Sequence, residues 1–376
     1  MRVAIVSHGA LVRLNRRPYD LLATAHGFEA TVIVPDRWLG DLPNPDLRVE
    51  PPSGAGLVAL RGRATGDGSR FWLHQLRPTL RKLRPDLILL DEEPWSVVAW
   101  QTLRADRTTP LVVYSKQNIA KRLPPPFSWM RTAGYRRARA AWAVGETTAE
   151  VLRATGFGGS IDLVPHGVEV TRFTPGRDEE RRRAYGLAGV VIGYAGRLVD
   201  DKGIAELLDA TARLVAAAPS DLPPFTVLVV GSGPLAEAVR QAAHGPLAGR
   251  LRFLPAVPHD EAPGLYRLMD VFVLPSRTTA RWREQFGRAL VEAAATALPL
   301  VAADSGEIPH VVRALGGGRV VPERDPAALA AALATLVRDP AARASLGRTN
   351  LEAAHARFSQ EAVARRMAEL LAGAAR

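Results

Sequence analysis

Short apolar segments alternate with longer amphipathic ones along most of the chain. The apolar segments predict buried strands, whereas apolar residues three and four positions apart predict helices. The predicted strands are Arg2–Val6, Glu29–Val34, Asp86–Leu90, Leu111–Ser115, Ala141–Val144, Ile161–Val164, Val190–Ala195, Thr226–Val230, Leu251–Leu254, Val271–Leu274, Leu300–Ala302 and Arg319–Val321. Because short apolar strands that alternate with helices form parallel sheets covered on both faces, the pattern predicts an α/β protein.

The predicted helices lie between these strands. In the first half they cover 18–25, 71–84, 95–103 and 147–155, and in the second half they follow Lys202, Pro234, Asp260, Phe286, Glu307 and Pro326. Further helical patterns cover 340–356 and 359–373, while residues 36–70 show no clear element. The polar and basic stretch 169–189 predicts a linker. The sequence therefore predicts two doubly wound, Rossmann-like domains, over 1–168 and 169–356, and a last helix over 357–376.

Composition narrows the class of protein. A chain of 376 residues, 47% hydrophobic and 23% charged, suits two globular domains with their own cores. It contains no cysteine, which excludes disulfides, thiolate metal sites and a cysteine nucleophile. The first residues run directly into a strand, and no apolar window of about 18 residues occurs. We therefore expect a cytoplasmic protein without a secretory signal or a membrane span.

The formal charge of +11 is uneven, since residues 1–150 hold 22 Lys and Arg against 14 Asp and Glu. A basic half is typical of contact with nucleic acid, an anionic membrane or acidic substrates. An arginine-rich, high-GC genome explains the same excess. The aromatic and basic stretch 127–139 predicts either a membrane-surface contact or a partly buried helix whose arginines reach solvent.

The strongest candidate site lies where strands of the second half end. Arg197 directly follows a strand, and Lys202 stands five residues on, at the start of a helix. A further helix is predicted to begin with Phe286 and Gly287 in its first turn and to run to Ala297. Because ligands collect at the carboxyl ends of parallel strands, two cations and a helix N-terminus at one edge predict a diphosphate site.

Two glutamates flank this helix start, Glu284 before it and Glu292 within it. At a rise of about 1.5 Å per residue, Glu292 is expected roughly 8 Å along the helix from Gly287. That span suits a ligand with a phosphate at one end and a ribose at the other. The spacing alone also fits a solvated helix with two surface glutamates.

A glycine turn in the second half gives a weaker signal. Gly231-Ser232-Gly233-Pro234-Leu235-Ala236 fits the G-x-G-x-x-A dinucleotide pattern after a strand. No acidic residue follows at the spacing expected of a ribose partner. The glycines therefore indicate a tight strand-to-helix turn near a nucleotide, and an NAD-binding oxidoreductase remains an alternative. Among the scattered histidines, which show no metal-binding spacing, His8 stands out because it ends the first strand.

Several motifs occur in order and carry a family resemblance. They are Ile192–Arg197 with Lys202-Gly203, Val229–Pro234, Val271–Ser276, Glu284–Gly287 with Glu292, and Val301–Pro309. Over residues 190–312 the combined pattern resembles the GT4 family of retaining, nucleotide-sugar-dependent glycosyltransferases. The segment Trp282–Arg288 and the Gln117-Asn118 loop resemble bacterial members that build surface polysaccharides or glycolipids. The first half matches more loosely, as expected if it binds a varying acceptor.

The resemblance implies the GT-B fold, in which two Rossmann-like domains face a central cleft, and a last helix that packs back on the first domain. It also implies catalytic roles in the second half. Arg197 and Lys202 would hold the donor diphosphate and stabilise its charge as it leaves, so that no metal or other cofactor is needed. Glu284 would face the donor sugar.

Further positions would bind the donor, a UDP-sugar or a GDP-sugar. The ribose hydroxyls would meet Glu292, and the sugar hydroxyls would meet backbone N–H groups of Phe286 and Gly287. Val257 and Pro258 would line the base. The remaining donor positions are glycines in strand-end loops: Gly9, Gly196 and Gly231.

The chain departs from its relatives after the strand Leu111–Ser115. Many relatives carry a histidine there, where this chain has Lys116, Gln117 and Asn118. One of these residues, or His8, is expected to replace the histidine contact to the donor sugar. The double-glycine loop after the first strand is also reduced to Gly9.

The sequence thus predicts a retaining hexosyltransferase that moves a sugar to a hydroxyl of a saccharide or lipid-linked acceptor in surface polysaccharide or glycolipid synthesis. The expected partners are the donor, the acceptor and an anionic membrane surface on the cytoplasmic side, but not nucleic acid. The alternatives are a GT-B epimerase acting on a sugar nucleotide, the NAD-binding oxidoreductase and a non-catalytic sugar-nucleotide binder.

Overall fold

The structure, a computed structural model, describes residues 1–40, 46–217 and 222–374. Its contacts divide the chain into two compact units. The first unit comprises Met1–Gly167 and the C-terminal segment from Gln360, and the second comprises Val168–Ser359. The boundaries expected at 168 and 356 lie close to these divisions.

The first unit is built on a seven-stranded sheet. Its strands and two short antiparallel ribbons (β3–β4 and β6–β7) are, in chain order, β1 Arg2–Val6, β2 Glu29–Pro35, β3 Arg37–Trp38, β4 Leu47–Arg48, β5 Gly56–Leu60, β6 Gly62–Arg63, β7 Trp72–Leu73, β8 Leu87–Leu90, β9 Leu111–Ser115, β10 Ala140–Ala143 and β11 Ser160–Leu163. The helices are α1 Arg13–Ala25, α2 Leu76–Leu83, α3 Val97–Ala105, α4 Phe127–Arg137 and α5 Glu146–Ala154. The sheet order is β11-β10-β9-β8-β1-β2-β5, with every pair parallel.

Two expectations for this unit are wrong. Residues 36–70 do contain a regular element, because β5 pairs with β2 from Thr31 opposite Gly56 onward. As the outermost strand, β5 is buried only in part and lacks the continuous apolar run of a central strand. The helix predicted over 71–84 is shorter, since residues 72 and 73 form β7 and Gln75 adopts a left-handed φ of 61° before α2 begins.

The second unit is built on a six-stranded parallel sheet in the order β14-β13-β12-β15-β16-β17. The strands are β12 Val190–Ala195, β13 Phe225–Gly231, β14 Leu251–Pro255, β15 Val271–Leu274, β16 Leu300–Ala303 and β17 Gly318–Val321. The helices are α6 Glu179–Ala184, α7 Ile204–Ala217, α8 Ala236–His244, α9 Ala262–Tyr266, α10 Arg288–Ala295, α11 Ile308–Leu315, α12 Pro326–Arg338 and α13 Pro340–Ala353, the last followed by a π-turn, Ala354–Phe358. The central strands are buried along their whole length, as expected of a sheet covered on both faces.

The stretch predicted to be a linker belongs to the second unit. It forms α6, which Asp178 caps by accepting a hydrogen bond from the Arg181 backbone N–H. Arg182 on α6 is fully buried, pairs with Asp270 at 3.0 Å, and donates to the carbonyl oxygens of Leu268 and Gly189. A basic composition is therefore no sign of exposure here, because the partly buried carboxylate of Asp270 offsets the charge of Arg182.

The chain ends in α14, Gln360–Ala374, within the first unit. This helix packs against α1. Its Arg366 pairs with Asp162 of β11 at 3.0 Å, and its first residue donates a hydrogen bond to the Leu14 carbonyl oxygen at 3.4 Å. Two segments far apart in sequence thus complete one unit.

Candidate functional site

Each sheet has one point at which the strand order reverses. It lies between β1 and β8 in the first unit and between β12 and β15 in the second. Ligands of open α/β sheets bind outside the carboxyl ends of strands at such switch points. The predicted residues Arg197 and Glu284 lie in the loops that follow β12 and β15, so the topology places them at one edge.

Lys202 and Glu284 form a partly buried ion pair at the switch point of the second unit. Lys202 closes a short 3₁₀ turn, and its Nζ lies 2.5 Å from Glu284 Oε2. The same carboxylate oxygen accepts a hydrogen bond from Ser276 Oγ at 3.2 Å. The ammonium group also lies 4.7 Å from the ring centroid of Trp282, within cation–π range. Side chains 82 residues apart in sequence are therefore in direct contact.

A close backbone approach holds the two loops together. Gly203 has a φ of 69°, and a Cβ added there would lie 1.8 Å from the Pro275 carbonyl oxygen. Beside it, the Arg277 backbone N–H donates to the Asp201 carbonyl oxygen at 2.9 Å. The Arg277 guanidinium pairs with Asp200 and, at 3.0 Å, with Glu206. These contacts fix the segment that carries Lys202 against the loop that carries Glu284.

Arg197 differs from Lys202 because its side chain is exposed. In the described residues, its guanidinium makes no hydrogen bond and no ion pair. Its backbone is fixed, since Tyr194 Oη donates to the Arg197 carbonyl oxygen at 2.7 Å. Burial, aided by the negative charge of Glu284, raises the pKa of Tyr194, so this phenol stays a donor. At Gly196, also exposed, an added Cβ would lie 2.9 Å from Tyr194 Oη.

The helix after Glu284 begins later than predicted. α10 starts at Arg288, and Gly287 precedes it as N-cap with a left-handed φ of 80°, so neither Phe286 nor Gly287 lies in the first turn. A left-handed residue cannot be helical, and glycine adopts that conformation without a steric penalty. The Phe286 side chain is buried and packs edge-on against Phe358, with ring centroids 6.0 Å apart.

Glu292 lies inside α10 and is also buried, with 8% of its surface exposed. Its Oε2 accepts a hydrogen bond from Tyr266 Oη at 2.8 Å. Burial and the adjacent carboxylate raise the pKa of Tyr266 well above its usual value. Glu284 is likewise 8% exposed, so the interpretation of these glutamates as surface residues is wrong.

The loop after β12 packs closely against the glycine turn after β13. A Cβ at Gly231 would lie 2.0 Å from the Gly196 carbonyl oxygen, and one at Gly233 would lie 2.4 Å from that of Leu198. Leu198 N–H donates to the Ser232 carbonyl oxygen at 2.8 Å. Packing within the unit thus accounts for both glycines, which removes the observation behind the oxidoreductase alternative.

The residues expected near the base lie in the loop after β14. Val257 is half-buried and Pro258 is exposed, and the latter precedes a short 3₁₀ turn, His259–Glu261. In the first unit, Gly9 opens another 3₁₀ turn. A Cβ added at Gly9 would meet only Ser7 Oγ, at 3.8 Å, so the packing of this unit does not itself require a glycine there.

The first unit carries a charged cluster at its own switch point, which the sequence analysis missed. Asp91, Glu92 and Glu93 follow β8, just before the helix that the sequence predicts over 95–103. Asp91 accepts a hydrogen bond from Ser7 Oγ at 2.6 Å and pairs with Lys116 Nζ at 2.6 Å. Three consecutive carboxylates directly after a buried strand were the signal that could have revealed this cluster.

Burial raises the pKa of Glu93, although the Lys116 backbone N–H and Ser115 Oγ donate to this carboxylate at 2.7 Å each and oppose the rise. Glu92 lies 2.8 Å from His8 Nδ1. Lys116, one of the residues expected to replace a histidine contact to the donor sugar, is paired with Asp91. Of the neighbours expected to substitute for that histidine, Asn118 is buried and Gln117 donates to the Ile119 carbonyl oxygen at 3.1 Å.

Two family models match the chain. The model described as Glycosyltransferase Family 4 matches residues 21–172, and the model described as Glycosyl transferases group 1 matches residues 189–339. A D-inositol 3-phosphate glycosyltransferase of Corynebacterium efficiens is 36% identical over 221 residues, which cover 56% of this chain and 50% of that protein. The chain thus spans about half the length of such relatives.

Another relative is the GDP-mannose-dependent alpha-(1-6)-phosphatidylinositol monomannoside mannosyltransferase of Mycobacterium tuberculosis. It is 30% identical over 260 residues, which cover 67% of this chain and 66% of that protein.

Solved structures match the whole fold. The sucrose-phosphate synthase of Thermosynechococcus elongatus superposes with a TM-score of 0.73 at 22% identity, covering 99% of this chain and 98% of that one. The HepE protein of Anabaena in complex with UDP gives 0.73 at 19% identity, covering 99% of both chains. Two doubly wound units with this strand order, matched along their full length, show the GT-B fold. Together with the two family models, this shows that the chain belongs to glycosyltransferase family 4.

Among the described residues, no group of three or more His, Asp or Glu side chains is arranged to hold a metal ion. Within the same ranges, no helix is both long and apolar enough to cross a bilayer.

Proposed function

We propose that this protein transfers a hexose from a UDP-sugar or GDP-sugar to a hydroxyl of a saccharide or lipid-linked acceptor, with retention of anomeric configuration. The contact between Lys202 and Glu284 at the switch point of the second unit carries the proposal. A partly buried, paired lysine and, five residues before it in sequence, an exposed arginine whose guanidinium has no partner among the described residues form a site suited to a dianionic group. The family provides the reaction class. One relative is named as GDP-mannose-dependent and one similar solved structure contains UDP, which favours a GDP-sugar or a UDP-sugar as the donor.

The second unit binds the donor in this proposal. The diphosphate lies between Lys202 and the free guanidinium of Arg197, and both cations stabilise the charge that develops on the leaving phosphate. Glu284, fixed by Lys202 and Ser276, accepts hydrogen bonds from the donor sugar. Backbone N–H groups of Phe286 and Gly287 donate to its hydroxyls, and the loop with Val257 and Pro258 borders the base.

Glu292 accepts hydrogen bonds from the ribose hydroxyls. We expect Glu292→Gln to weaken binding of UDP or GDP by about ten- to hundredfold, since hydrogen bonds to a charged group contribute about 1.5–3 kcal/mol each. Glutamine keeps an oxygen for the Tyr266 hydroxyl and therefore preserves the packing. Isothermal calorimetry would measure the effect, with Glu237→Gln, an exposed change on α8, as control. Equal affinity in both variants would rule out the ribose role.

The nucleotide itself can be identified by thermal stabilisation. A ligand that binds only the folded state raises the melting temperature according to its affinity, so UDP, GDP and ADP can be compared directly. A transfer assay then tests the reaction, with sugar donors that carry the nucleotide found to stabilise the protein. Stabilisation by none of the three would contradict the proposed donor site.

The first unit binds the acceptor and contacts the membrane surface in this proposal. Residues 107–145 contain eight Lys and Arg and no Asp or Glu. Within this stretch, Trp129 on α4 is 68% exposed, and the same stretch carries the exposed basic side chains Lys121, Arg122, Arg136 and Arg139. An exposed tryptophan within a basic surface is typical of docking on anionic lipid, where the indole enters the interface and the cations face the headgroups.

We therefore expect Trp129→Ala to lower partitioning onto vesicles that contain anionic phospholipid by about tenfold, because burial of a large apolar side chain contributes about 1.5–3 kcal/mol. Vesicle flotation would measure the change. Trp72→Ala, at a tryptophan 42% exposed outside this stretch, is the control and should bind as the wild type does. Wild-type binding that is absent, or insensitive to salt, would contradict the membrane contact.

A further inference from the structure

A cavity of about 510 Å³ lies in the first unit, beyond the carboxyl ends of β2 and β5. Asp36 directly follows β2 and Arg61 directly follows β5, so the two antiparallel ribbons begin at this edge. Among the described residues that line the cavity, Asp36 alone is acidic. Four of the lining residues are arginines, namely Arg37, Arg48, Arg61 and Arg63. The volume is typical of a small-ligand site, but the lining suits a negatively charged ligand.

The backbone directs the four arginines toward the same space. Arg37 and Arg48 stand directly opposite each other in the β3–β4 ribbon, so their side chains leave the same face with Cβ atoms about 4.5–5.5 Å apart. Arg61 and Arg63 are two positions apart where the β6–β7 ribbon begins, a spacing that puts side chains on one face of a strand. Because like charges directly opposite each other destabilise a ribbon, a bound anion would remove an unfavourable interaction.

Backbone contacts hold the two ribbons together. The Asp36 N–H donates to the Leu60 carbonyl oxygen at 2.9 Å, and Asp36 Oδ1 accepts a hydrogen bond from the Gly62 N–H at 3.2 Å. Gly66 has a φ of 110°, and an added Cβ would lie 2.2 Å from the Leu39 carbonyl oxygen. Fixed segments therefore bound the cavity, and its carboxylate already accepts a hydrogen bond from the backbone.

The positive charge of the cavity is mostly unpaired. Arg48 pairs with Asp46 at 3.4 Å, but these side chains are 73% and 43% exposed, so the pair contributes little. Arg37, Arg61 and Arg63 are exposed, and none of them pairs with a carboxylate in the ranges 1–40, 46–217 and 222–374. The cavity thus offers several guanidinium groups to a ligand.

Guanidinium groups match phosphate in geometry and charge. Each presents N–H donors in a planar fork that fits two oxygens of one phosphate. A phosphate monoester has three strong acceptor oxygens and nearly two negative charges at neutral pH, so several forks can bind it at once. A carboxylate offers only two oxygens and one charge, and it suits a cavity with four arginines less well.

We propose that this four-arginine cavity binds the phosphate group of a phosphate ester. The ester is a soluble phosphorylated saccharide or a phospholipid headgroup, since both present the same group. The arginines belong to the first unit, whereas the proposed donor contacts of Arg197, Lys202 and Glu284 belong to the second. The phosphate site is therefore additional to the donor site and can be tested without it.

Arg37→Gln combined with Arg61→Gln tests the site, with glucose 6-phosphate as the soluble probe. We expect affinity for the probe to fall about tenfold or more, because two charge-assisted hydrogen-bonding groups are lost. The control is Arg77→Gln combined with Arg81→Gln, which removes the same charge from exposed positions of α2 and should bind as the wild type does. Calorimetry would measure the affinities, and melting temperatures would show that each variant folds.

Arg37→Lys combined with Arg61→Lys distinguishes a shaped site from a general positive surface. Lysine keeps the charge but lacks the planar fork, so affinity for glucose 6-phosphate should still fall at least a few-fold. Affinity equal to that of the wild type would overturn the proposal, because attraction to diffuse charge does not depend on the geometry of the donors.

Flotation with vesicles that contain phosphatidylglycerol identifies the source of the phosphate. Weaker flotation of the glutamine variant than of its control assigns the site to a lipid headgroup. Equal flotation with lost binding of glucose 6-phosphate assigns it to a soluble ester. A glutamine variant that matches its control with both probes, or a wild type that binds neither probe, overturns the proposal. Sugar transfer is a separate readout: a wild type that binds the phosphate ester but transfers no sugar refutes only the proposed function.

Discussion

Replacement of Lys202 by alanine is expected to lower sugar transfer by about 10³-fold or more. The proposed role of its ammonium group is to neutralise the leaving diphosphate, and removal of one such preorganised contact costs about 2.7–4 kcal/mol of transition-state stabilisation. The variant also removes the ammonium group that lies 2.5 Å from Glu284 Oε2 in the wild type. A transfer assay at saturating donor would measure the loss, with Lys82→Ala, at an exposed position of α2, as matched control.

A second variant distinguishes lost chemistry from lost stability. Breaking a buried ion pair costs about 3 kcal/mol or more, whereas removing both charges together costs much less. Lys202→Met combined with Glu284→Gln should therefore melt close to the wild type and remain inactive. Wild-type turnover in a folded Lys202→Ala enzyme would refute the assignment.

The second large effect is expected at Gly203. Its φ of 69° disfavours any L side chain, and the added methyl group would lie 1.8 Å from the Pro275 carbonyl oxygen. Because backbone cannot rotate away as a side chain can, Gly203→Ala should separate the loop of Lys202 from that of Glu284. We expect a loss of about 3 kcal/mol in the free energy of unfolding, the sum of conformational strain and overpacking, and a severe loss of activity.

Gly249 provides the control for this prediction. It lies in the same unit with a φ of 78°, but an added Cβ would meet no atom within 4 Å. Gly249→Ala therefore measures the cost of a left-handed φ alone. It should lower the free energy of unfolding by only about 1 kcal/mol, without loss of activity. Denaturant unfolding of both variants would measure the difference. Equal losses would show that the contact with Pro275 is unimportant.

The positions of Lys202 and Glu284 after two strands correctly predicted that they lie at the same edge of the sheet. Both follow central strands, whose apolar segments are easily recognised in the sequence. It did not predict their partners. Ser276 and Tyr266 bond to the two glutamates only after the chain has folded, and no local pattern signals such contacts. The start of α10 was misplaced because Gly287 fits the helical spacing, while its left-handed φ follows from the loop before it.

The first unit was harder to predict for a related reason. β5 is an edge strand with partial burial, so its hydrophobic pattern is weak. In the second unit, the helix in the predicted linker is fixed by the buried Arg182, a residue type that composition assigns to the surface. The cluster around Glu92 depends on the parallel pairing of β1 with β8, which brings residues 84 positions apart into contact. The family resemblance supplied the fold and reaction class, but not this cluster.

The division of the chain also bears on the order in which the protein can assemble during translation. The second unit is one continuous stretch, so all its contacts become available once Ser359 has left the ribosome. The first unit is synthesised earlier, yet α1 lacks its partner until α14 emerges, more than 300 residues later. The apolar surface of α1 that packs against α14 therefore stays uncovered until α14 has been synthesised. The rate of elongation, roughly 5–20 residues per second, sets the duration of this exposure.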